Sequence, residues 1–199
     1  MDYDIYKAID AAGPHWLDQL FKLVANDLVV VIVAIVAALF LIPWRRLRLE
    51  RRRAAVIATA SAALALLVDQ PIAHAVDRVR PFVAHPSAEL LISRSTDPSF
   101  PSDHAAGAFA IAVAVWLYDR VSGWVLLALA ALLAFARVYA GTHYPSDVVG
   151  GALIGTAVAL VLHWRPVRAR LEWLADLCGR IWDRILAAAG VRPRAAGPA

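Results

Sequence analysis

The sequence predicts an all-α integral-membrane bundle of about five transmembrane helices, with a short amphipathic helix at each end. Three observations predict this fold. Of 199 residues, 61% are hydrophobic, which is too many for an ordinary soluble domain. These residues are gathered into runs near the length of roughly 20 residues that crosses a bilayer. Arginines stand between and after the runs, as they do in the cytoplasmic loops of membrane proteins.

Five apolar runs are the predicted spans. In order, they are Leu17–Ile42, Ala54–Val76, Asp103–Leu117, Gly123–Ala140 and Ser146–Trp164. The third is short, and we expect it to extend to about Val121. Acidic Asp2, Asp4 and Asp10 precede the first run, so we expect a mature helix there rather than a cleaved signal peptide.

Amphipathic segments flank the spans. After the last span, apolar residues recur at helical spacing, at Leu174, Leu177, Ile181, Trp182 and Ile185. They predict a helix that lies on the cytoplasmic interface. Tyr3–Ala11 predicts a similar short helix on the outer side. We therefore divide the chain into a membrane-embedded domain, residues 1–170, and a cytoplasmic helix and tail, residues 171–199.

The arginines predict the topology. Between the first two runs stand Arg45, Arg46, Arg48, Arg51, Arg52 and Arg53, and after the last run stand Arg165, Arg168 and Arg170. Short basic loops stay in the cytoplasm, which places the N-terminus outside. Segments Asp77–Ser102 and Gly141–Pro145 then meet on the outer face. The net charge of +4 thus reflects topology, and we expect no nucleic-acid partner.

Residues of these two segments predict an anion site. Ser102 is placed to cap the third span, and Pro145 stands in the first turn of the fifth. Helix N-termini attract anions through free backbone N–H groups and the helix dipole. Arg80 and Arg137 add guanidinium groups that match phosphate oxygens. Phosphate is the ligand that this set favours.

Two histidines fall at the same place. Asp147 follows His143 by four residues, and a carboxylate that holds one imidazole nitrogen leaves the other free to attack. His104 is suited to protonate the leaving oxygen. The same three side chains could instead form a plain hydrogen-bonded pair or a zinc site. The surrounding arginines favour an anion over a cation, so we expect no metal or other cofactor.

These segments resemble the three-part signature of the type-2 phosphatidic-acid phosphatase superfamily. Arg80-Pro81 matches the end of its first part, and Pro101-Ser102 with His104 matches its second. Arg137, His143 and Asp147 match the third with both spacings kept. The match runs in order through about residues 54–164.

The resemblance implies a metal-independent mechanism. In it His143 forms a phosphohistidine, Asp147 orients His143, and His104 is the general acid. Arg80, Ser102 and Arg137, together with the backbone amides after Ser102, would hold the phosphoryl oxygens.

The chain departs from the signature at three positions. Ala73 stands at the family lysine, Asp103 at a glycine and Ala136 at a serine. Asp103, within the stretch from Ser93 to His104, is similar to the bacterial undecaprenyl-diphosphate phosphatases that confer bacitracin resistance. We therefore expect Asp103, Arg78 and Arg94 to contribute to binding of the diphosphate.

The predicted function is dephosphorylation of a membrane lipid, most of all undecaprenyl diphosphate, at the outer face of a bacterial inner membrane. Phosphatidylglycerophosphate or phosphatidic acid is the alternative substrate. A non-catalytic lipid-phosphate binder or transporter would use the same arginine-lined site without turnover. The expected partners are membrane lipids and a polyprenyl or glycerophospholipid phosphate, and the sequence specifies no oligomeric state.

Overall fold

The computed structural model describes residues 2–9, 13–42, 48–86 and 88–190. These residues form helices and loops without a strand, which confirms the all-α prediction. The helices are α1 Asp2–Ile9, α2 His15–Leu41, α3 Arg48–Val76, α4 Pro81–Ala84, α5 Asp103–Trp116, α6 Arg120–Tyr139, α7 Pro145–Leu162 and α8 Arg165–Ala188. Arg45, Arg46, Asp10 and the tail from 191 to 199 lie outside the described residues.

Helix α5 is the centre of the bundle and packs against α3, α6 and α7. Its buried residues are mostly alanines, which allow neighbouring helices to approach. Gly151 and Gly155 of α7 face it directly. A Cβ atom at Gly151 would collide with the Ser102 carbonyl oxygen, and one at Gly155 with the Ala106 carbonyl oxygen. The two helices therefore touch backbone to backbone.

Four segments are long and apolar enough to cross a membrane: His15–Leu41, Leu49–Ala84, Arg120–Tyr139 and Pro145–Leu162. They agree with four predicted spans and make this a multi-pass membrane protein. Helix α5 has 14 residues, or about 21 Å of helical rise, and is enclosed by the others.

The expected extension of the third span to Val121 is wrong. Helix α5 ends at Trp116, and α6 begins at Arg120 after Asp119, whose carboxylate accepts the Ser122 N–H at 3.3 Å. A Cβ atom at Gly123 would collide with the Trp116 backbone, so α6 turns back closely against the end of α5.

Ion pairs hold α8 against α3, at the end of the bundle opposite the N-termini of α5 and α7. Arg53 of α3 donates to both carboxylate oxygens of Asp176 at 2.9 and 2.6 Å. Arg52 is buried and donates to the Gly179 carbonyl oxygen at 3.2 Å and to Asp183 at 2.9 Å. Part of the apolar stripe predicted for α8 points away from these contacts, because Leu174, Ile181 and Ile185 are exposed. Trp182 of the same stripe instead donates to the Leu41 carbonyl oxygen at 3.2 Å.

The α5–α7 contact predicts the effect of a single methyl group. Gly155→Ala should lower the free energy of unfolding by about 1–3 kcal/mol, since the new Cβ meets backbone rather than a movable side chain. Thermal unfolding in detergent measures this loss. Gly107→Ala on α5 is the matched control, because its nearest neighbour would be the Leu66 Cδ2 atom at 4.0 Å. Equal melting temperatures for the two variants would contradict the contact.

Candidate active site

The site forms where α5 and α7 begin, beside the end of α6. Ser102 is the N-cap residue of α5, and Pro145 stands in the first turn of α7, as predicted. The Ser102 N–H donates to the Asp147 carbonyl oxygen at 3.1 Å, which ties the two helix starts together. Arg80 precedes α4, and Arg137 is in the last turn of α6. All of the residues predicted for the anion site thus lie at this end.

His143 is fully buried in the loop between α6 and α7. Its Nδ1 atom lies 2.8 Å from the Ser99 carbonyl oxygen, an acceptor, so Nδ1 carries the proton and Nε2 the lone pair. The Nε2 atom lies 3.4 Å from Arg80 Nη1. Burial lowers the pKa of His143 below 6.5; Arg137 and Arg80 add to this, while Asp147 opposes it. A neutral imidazole with a free Nε2 is what a nucleophile requires.

Asp147 reaches His143 mainly through Ser99. Its Oδ2 atom is 3.8 Å from His143 Nδ1, and accepts the Ser99 hydroxyl at 2.5 Å and the Tyr144 N–H at 2.8 Å. The sequence predicted a direct His143–Asp147 contact and missed the role of Ser99, which lies 44 residues before His143, within the stretch from Ser93 to His104 but outside the three-part signature.

The carboxylate of Asp103 contacts His104. Its Nδ1 atom lies 2.8 Å from Asp103 Oδ1, and the same oxygen accepts the His104 backbone N–H at 2.7 Å. This contact fixes one ring nitrogen and leaves Nε2 of His104 available for proton transfer. The structure therefore places Asp103 on the neighbouring histidine, whereas the sequence assigned it to substrate binding.

Some buried polar atoms at the site lack a hydrogen-bond partner among the described residues. Within the described part of the chain, neither the Ser102 hydroxyl nor Arg137 Nε has a hydrogen-bond partner. Arg80, by contrast, donates from Nε to the Asp97 carbonyl oxygen at 2.8 Å and from Nη1 to the Thr142 carbonyl oxygen at 3.1 Å. Unsatisfied buried donors are rare in folded proteins. These two, beside the α5 N-terminus, are suited to an anion.

Arg78 is committed to protein contacts. It donates from Nη1 to Asp147 Oδ1 at 2.6 Å and from Nη2 to Asp2 Oδ2 at 2.6 Å. Arg94 lies over the Phe82 ring, 5.8 Å from its centroid, and borders an open cleft of about 420 Å³ that Arg80 also lines. Of the two arginines predicted to add charge for a diphosphate, Arg94 is therefore the more available.

Two further cavities lie beside residues of the site. A polar one of about 140 Å³ is lined by Asp69, Ala73, Arg80 and Asp103, and Ala73 leaves it open where the family lysine would stand. An apolar groove of about 220 Å³ opens between α2, α3 and α5; Asp103, His104, Ile32, Leu66 and Gly107 are among its lining residues. In the described residues, no three His, Cys, Asp or Glu side chains are grouped as a metal ion requires.

Comparison with known proteins identifies the family. The sequence model of the PAP2 superfamily matches residues 54–170. The chain belongs to the PAP2 superfamily. Its resemblance to type-2 phosphatidic-acid phosphatases is thereby confirmed.

Two PAP2 relatives share much of this sequence. Undecaprenyl-diphosphatase BcrC of Bacillus subtilis is 31% identical over 188 residues, covering 94% of each chain. Putative undecaprenyl-diphosphatase YbjG of Escherichia coli is 37% identical over 155 residues, covering 77% of this chain and 75% of that one.

Solved structures support the PAP2 fold. Aquifex aeolicus LpxE aligns with a TM-score of 0.60 at 22% identity, covering 80% of this chain and 92% of that one. A PAP2-type phosphatidylglycerolphosphate phosphatase from Bacillus subtilis aligns with a TM-score of 0.60 at 20% identity, covering 81% and 82%.

The environment of His143 predicts the pH dependence of any activity that needs it neutral. Because the pKa of His143 is lowered, activity should persist above this value and be lost as the pH falls through it. Arg80→Gln removes one cation that lowers the pKa, so the loss should begin about one pH unit higher. The check is the pH profile of kcat/KM, measured for the wild type and the variant on the same substrate. Titration of the substrate then affects both profiles equally.

Arg94→Gln is the control for this measurement, because Arg94 contacts Phe82 and should leave the pH midpoint unchanged. A midpoint that moves equally in both variants would mean that the profile does not report His143.

Proposed function

We propose that this PAP2 phosphatase removes the terminal phosphate of undecaprenyl diphosphate through a phosphohistidine on His143. The observation that carries the proposal is the unprotonated Nε2 atom of buried His143, near unsatisfied donors of Ser102 and Arg137. A nucleophile and an oxyanion site at one point are the requirements of acyl or phosphoryl transfer, and two arginines favour phosphoryl.

In the first step, His143 Nε2 attacks the terminal phosphorus in line with the bridging oxygen. A P–N bond forms and the P–O bond to the bridge breaks, with its electron pair leaving on the lipid phosphate. His104 Nε2 gives its proton to that leaving oxygen. Ser102, Arg80, Arg137 and the first amides of α5 hold the phosphoryl oxygens, where negative charge is concentrated in the transition state.

In the second step, water takes the place of the leaving group. His104, now neutral, accepts a proton from this water as its oxygen attacks the phosphorus and the P–N bond breaks. Inorganic phosphate departs, and both histidines return to their first states. Asp103 supports both steps, because its bond to Nδ1 keeps His104 in one orientation.

A polyprenyl chain fits the surroundings of His104. The apolar groove between α2, α3 and α5 includes His104 in its lining, so a lipid held there would present its phosphate to the general acid. The relatives BcrC and YbjG carry the name undecaprenyl-diphosphatase, which supports a diphosphate over phosphatidylglycerophosphate or phosphatidic acid. The BcrC name also favours a contribution to bacitracin resistance through recycling of the cell-wall lipid carrier.

We place the site on the outer face of the bacterial inner membrane. Arg51, Arg52 and Arg53 begin α3, while Arg78 and Arg80 follow its other end. The basic α8 lies with the first group. Basic segments favour the cytoplasm, so the histidines would face outward. The division at residue 171 falls within α8, which begins at Arg165, and we keep residues 1–170 as the proposed phosphatase domain.

The substrate and nucleophile are tested together with purified protein. Phosphate release should be fastest from undecaprenyl diphosphate in a panel that includes phosphatidylglycerophosphate and phosphatidic acid. His143→Ala should lower the rate at least about 1,000-fold, because no other group replaces the nucleophile. His163→Ala, the same change at the opposite end of α7, is the matched control and should retain activity.

Each alternative has its own result. Equal rates on all three lipids would contradict the diphosphate assignment. Turnover that survives His143→Ala would contradict the phosphohistidine. Lipid binding without turnover by the wild type would establish the non-catalytic binder or transporter instead.

The lipid groove makes a separate prediction. Gly107→Phe places a ring in the groove, where Gly107 has open space on the Leu66 side. It should raise KM for undecaprenyl diphosphate about tenfold or more but leave hydrolysis of p-nitrophenyl phosphate, which has no chain, nearly unchanged. Steady-state kinetics on both substrates measure this difference between the lipid and p-nitrophenyl phosphate. An equal loss of activity on both substrates would mean that the substitution disturbs the catalytic residues rather than binding of the lipid chain.

A further inference from the structure

We propose that Asp2 of α1 is a positioning residue for the nucleophile, acting through Arg78 and Asp147. We name these contacts the Asp2–Arg78–Asp147 bridge. The inference rests on the proposed function, since it assigns a role at the same site. Helix α1 lies outside residues 54–170, the part that matches the PAP2 superfamily, so the family match assigns this helix no role.

The bridge consists of short, charge-assisted hydrogen bonds. Asp2 Oδ2 accepts from Arg78 Nη2 at 2.6 Å and from the Ser146 hydroxyl at 2.6 Å. Asp2 Oδ1 accepts the Ser146 backbone N–H at 3.1 Å. Arg78 Nη1 continues to Asp147 Oδ1 at 2.6 Å. A carboxylate on α1 therefore connects through one guanidinium to the buried carboxylate beside His143.

Arg78 needs this support to stay in place. It follows α3 on a long side chain that is partly exposed, and it stands close to a site for a strongly charged substrate. Asp2 on one side and the Tyr144 ring, 4.1 Å from the guanidinium carbon, on the other hold the plane of the group. Arg78 Nη1 also donates to the Ser146 hydroxyl at 2.6 Å, and Asp2 in turn holds that hydroxyl at 2.6 Å. Loss of Asp2 would therefore loosen both contacts and let Arg78 turn from Asp147 toward the substrate phosphates.

The loss of Arg78 would reach His143 through Asp147. Asp147 is completely buried, so its charge requires a cationic partner. With Oδ1 held by Arg78, Oδ2 is oriented toward the Ser99 hydroxyl and the Tyr144 N–H. Ser99 in turn accepts the Nδ1 proton of His143 on its carbonyl oxygen. The orientation of Nε2 thus depends on a set of contacts that begins at Asp2.

Helix α1 is packed firmly enough for this role. Tyr3 stacks on His85 with ring centroids 3.6 Å apart, and buried Tyr6 meets the edge of Tyr144 at 5.8 Å. Burial acts to raise the pKa of Asp2, but bonds from Ser146 and Arg78 outweigh it, so the pKa is lowered. The carboxylate is therefore present above its depressed pKa, and the bridge is lost only as the pH falls through that value.

Asp2 also decides which helix N-terminus is open to substrate. Its Oδ1 atom takes the Ser146 N–H in the first turn of α7, one of the two termini predicted to bind an anion. An acceptor already occupies the start of α7, which leaves the start of α5 for the phosphoryl group. This arrangement agrees with the unsatisfied Ser102 hydroxyl at α5.

The test is a double-mutant cycle on turnover of undecaprenyl diphosphate. Asp2→Asn should lower kcat between about tenfold and 100-fold, the usual cost of a small misplacement, with little change in KM because Asp2 does not contact lipid. Asp4→Asn is the matched control, an exposed aspartate on the same helix, and should retain full activity. If Asp2 acts through Arg78, the double variant should be no slower than Arg78→Gln alone.

Three results would overturn the bridge: multiplied effects in the double variant, an equal loss in Asp4→Asn, or an unchanged kcat in Asp2→Asn. Assays are run below the melting temperatures of all variants, so that a change in folding does not enter the comparison.

Orthovanadate, a phosphoryl-like anion, separates this inference from the proposed function. Its stabilisation of the wild type against heat should weaken in Asp2→Asn and persist in Asp4→Asn. A wild type that hydrolyses no lipid would refute the function, while the orthovanadate comparison would still decide the bridge. Equal stabilisation of all three proteins by orthovanadate would overturn the bridge.

Discussion

The close contact between α5 and α7 is the constraint on which the site depends. Gly151 and Gly155 bring the α7 backbone against the α5 backbone, and no side chain separates them. This contact allows the Ser102 N–H to reach the Asp147 carbonyl oxygen, so both helices begin at the same level. His104 in the first turn of α5 and His143 just before α7 are consequently brought to one place. Bilayer spanning alone would fix the helix directions but not this alignment along the axis.

The sequence predicts those features that depend on local pattern. Apolar runs of spanning length give the main helices, and fixed spacings give Arg137, His143 and Asp147. The contacts of Ser99 and Asp2 were not predictable, because they join segments 44 and 144 residues apart through the folding of loops. The end of α5 was missed for a related reason. The apolar run continues only through Leu117 and Tyr118, and α5 ends where Asp119 caps α6 and Gly123 returns against the Trp116 backbone.

On the proposed mechanism, the charged residues of the site divide into those that bind the substrate and those that orient the histidines. Arg80 and Arg137 face His143, whereas Asp103 holds His104 and Arg78 holds Asp147. Burial and the cations beside His143 favour its neutral form, while the Asp103 carboxylate fixes the orientation of His104. The sequence assigned Arg78 and Asp103 to substrate recognition, whereas on the proposed mechanism they orient the catalytic residues.

The alanine at position 73 fits this division. A lysine there would extend into the polar cavity lined by Arg80, Asp103 and Asp69, where it would compete with His104 for the Asp103 carboxylate. With alanine the cavity of about 140 Å³ stays open beside Arg80 and Asp103. On the proposed mechanism the Asp103 carboxylate is therefore left to hold His104, because no lysine at position 73 competes for it.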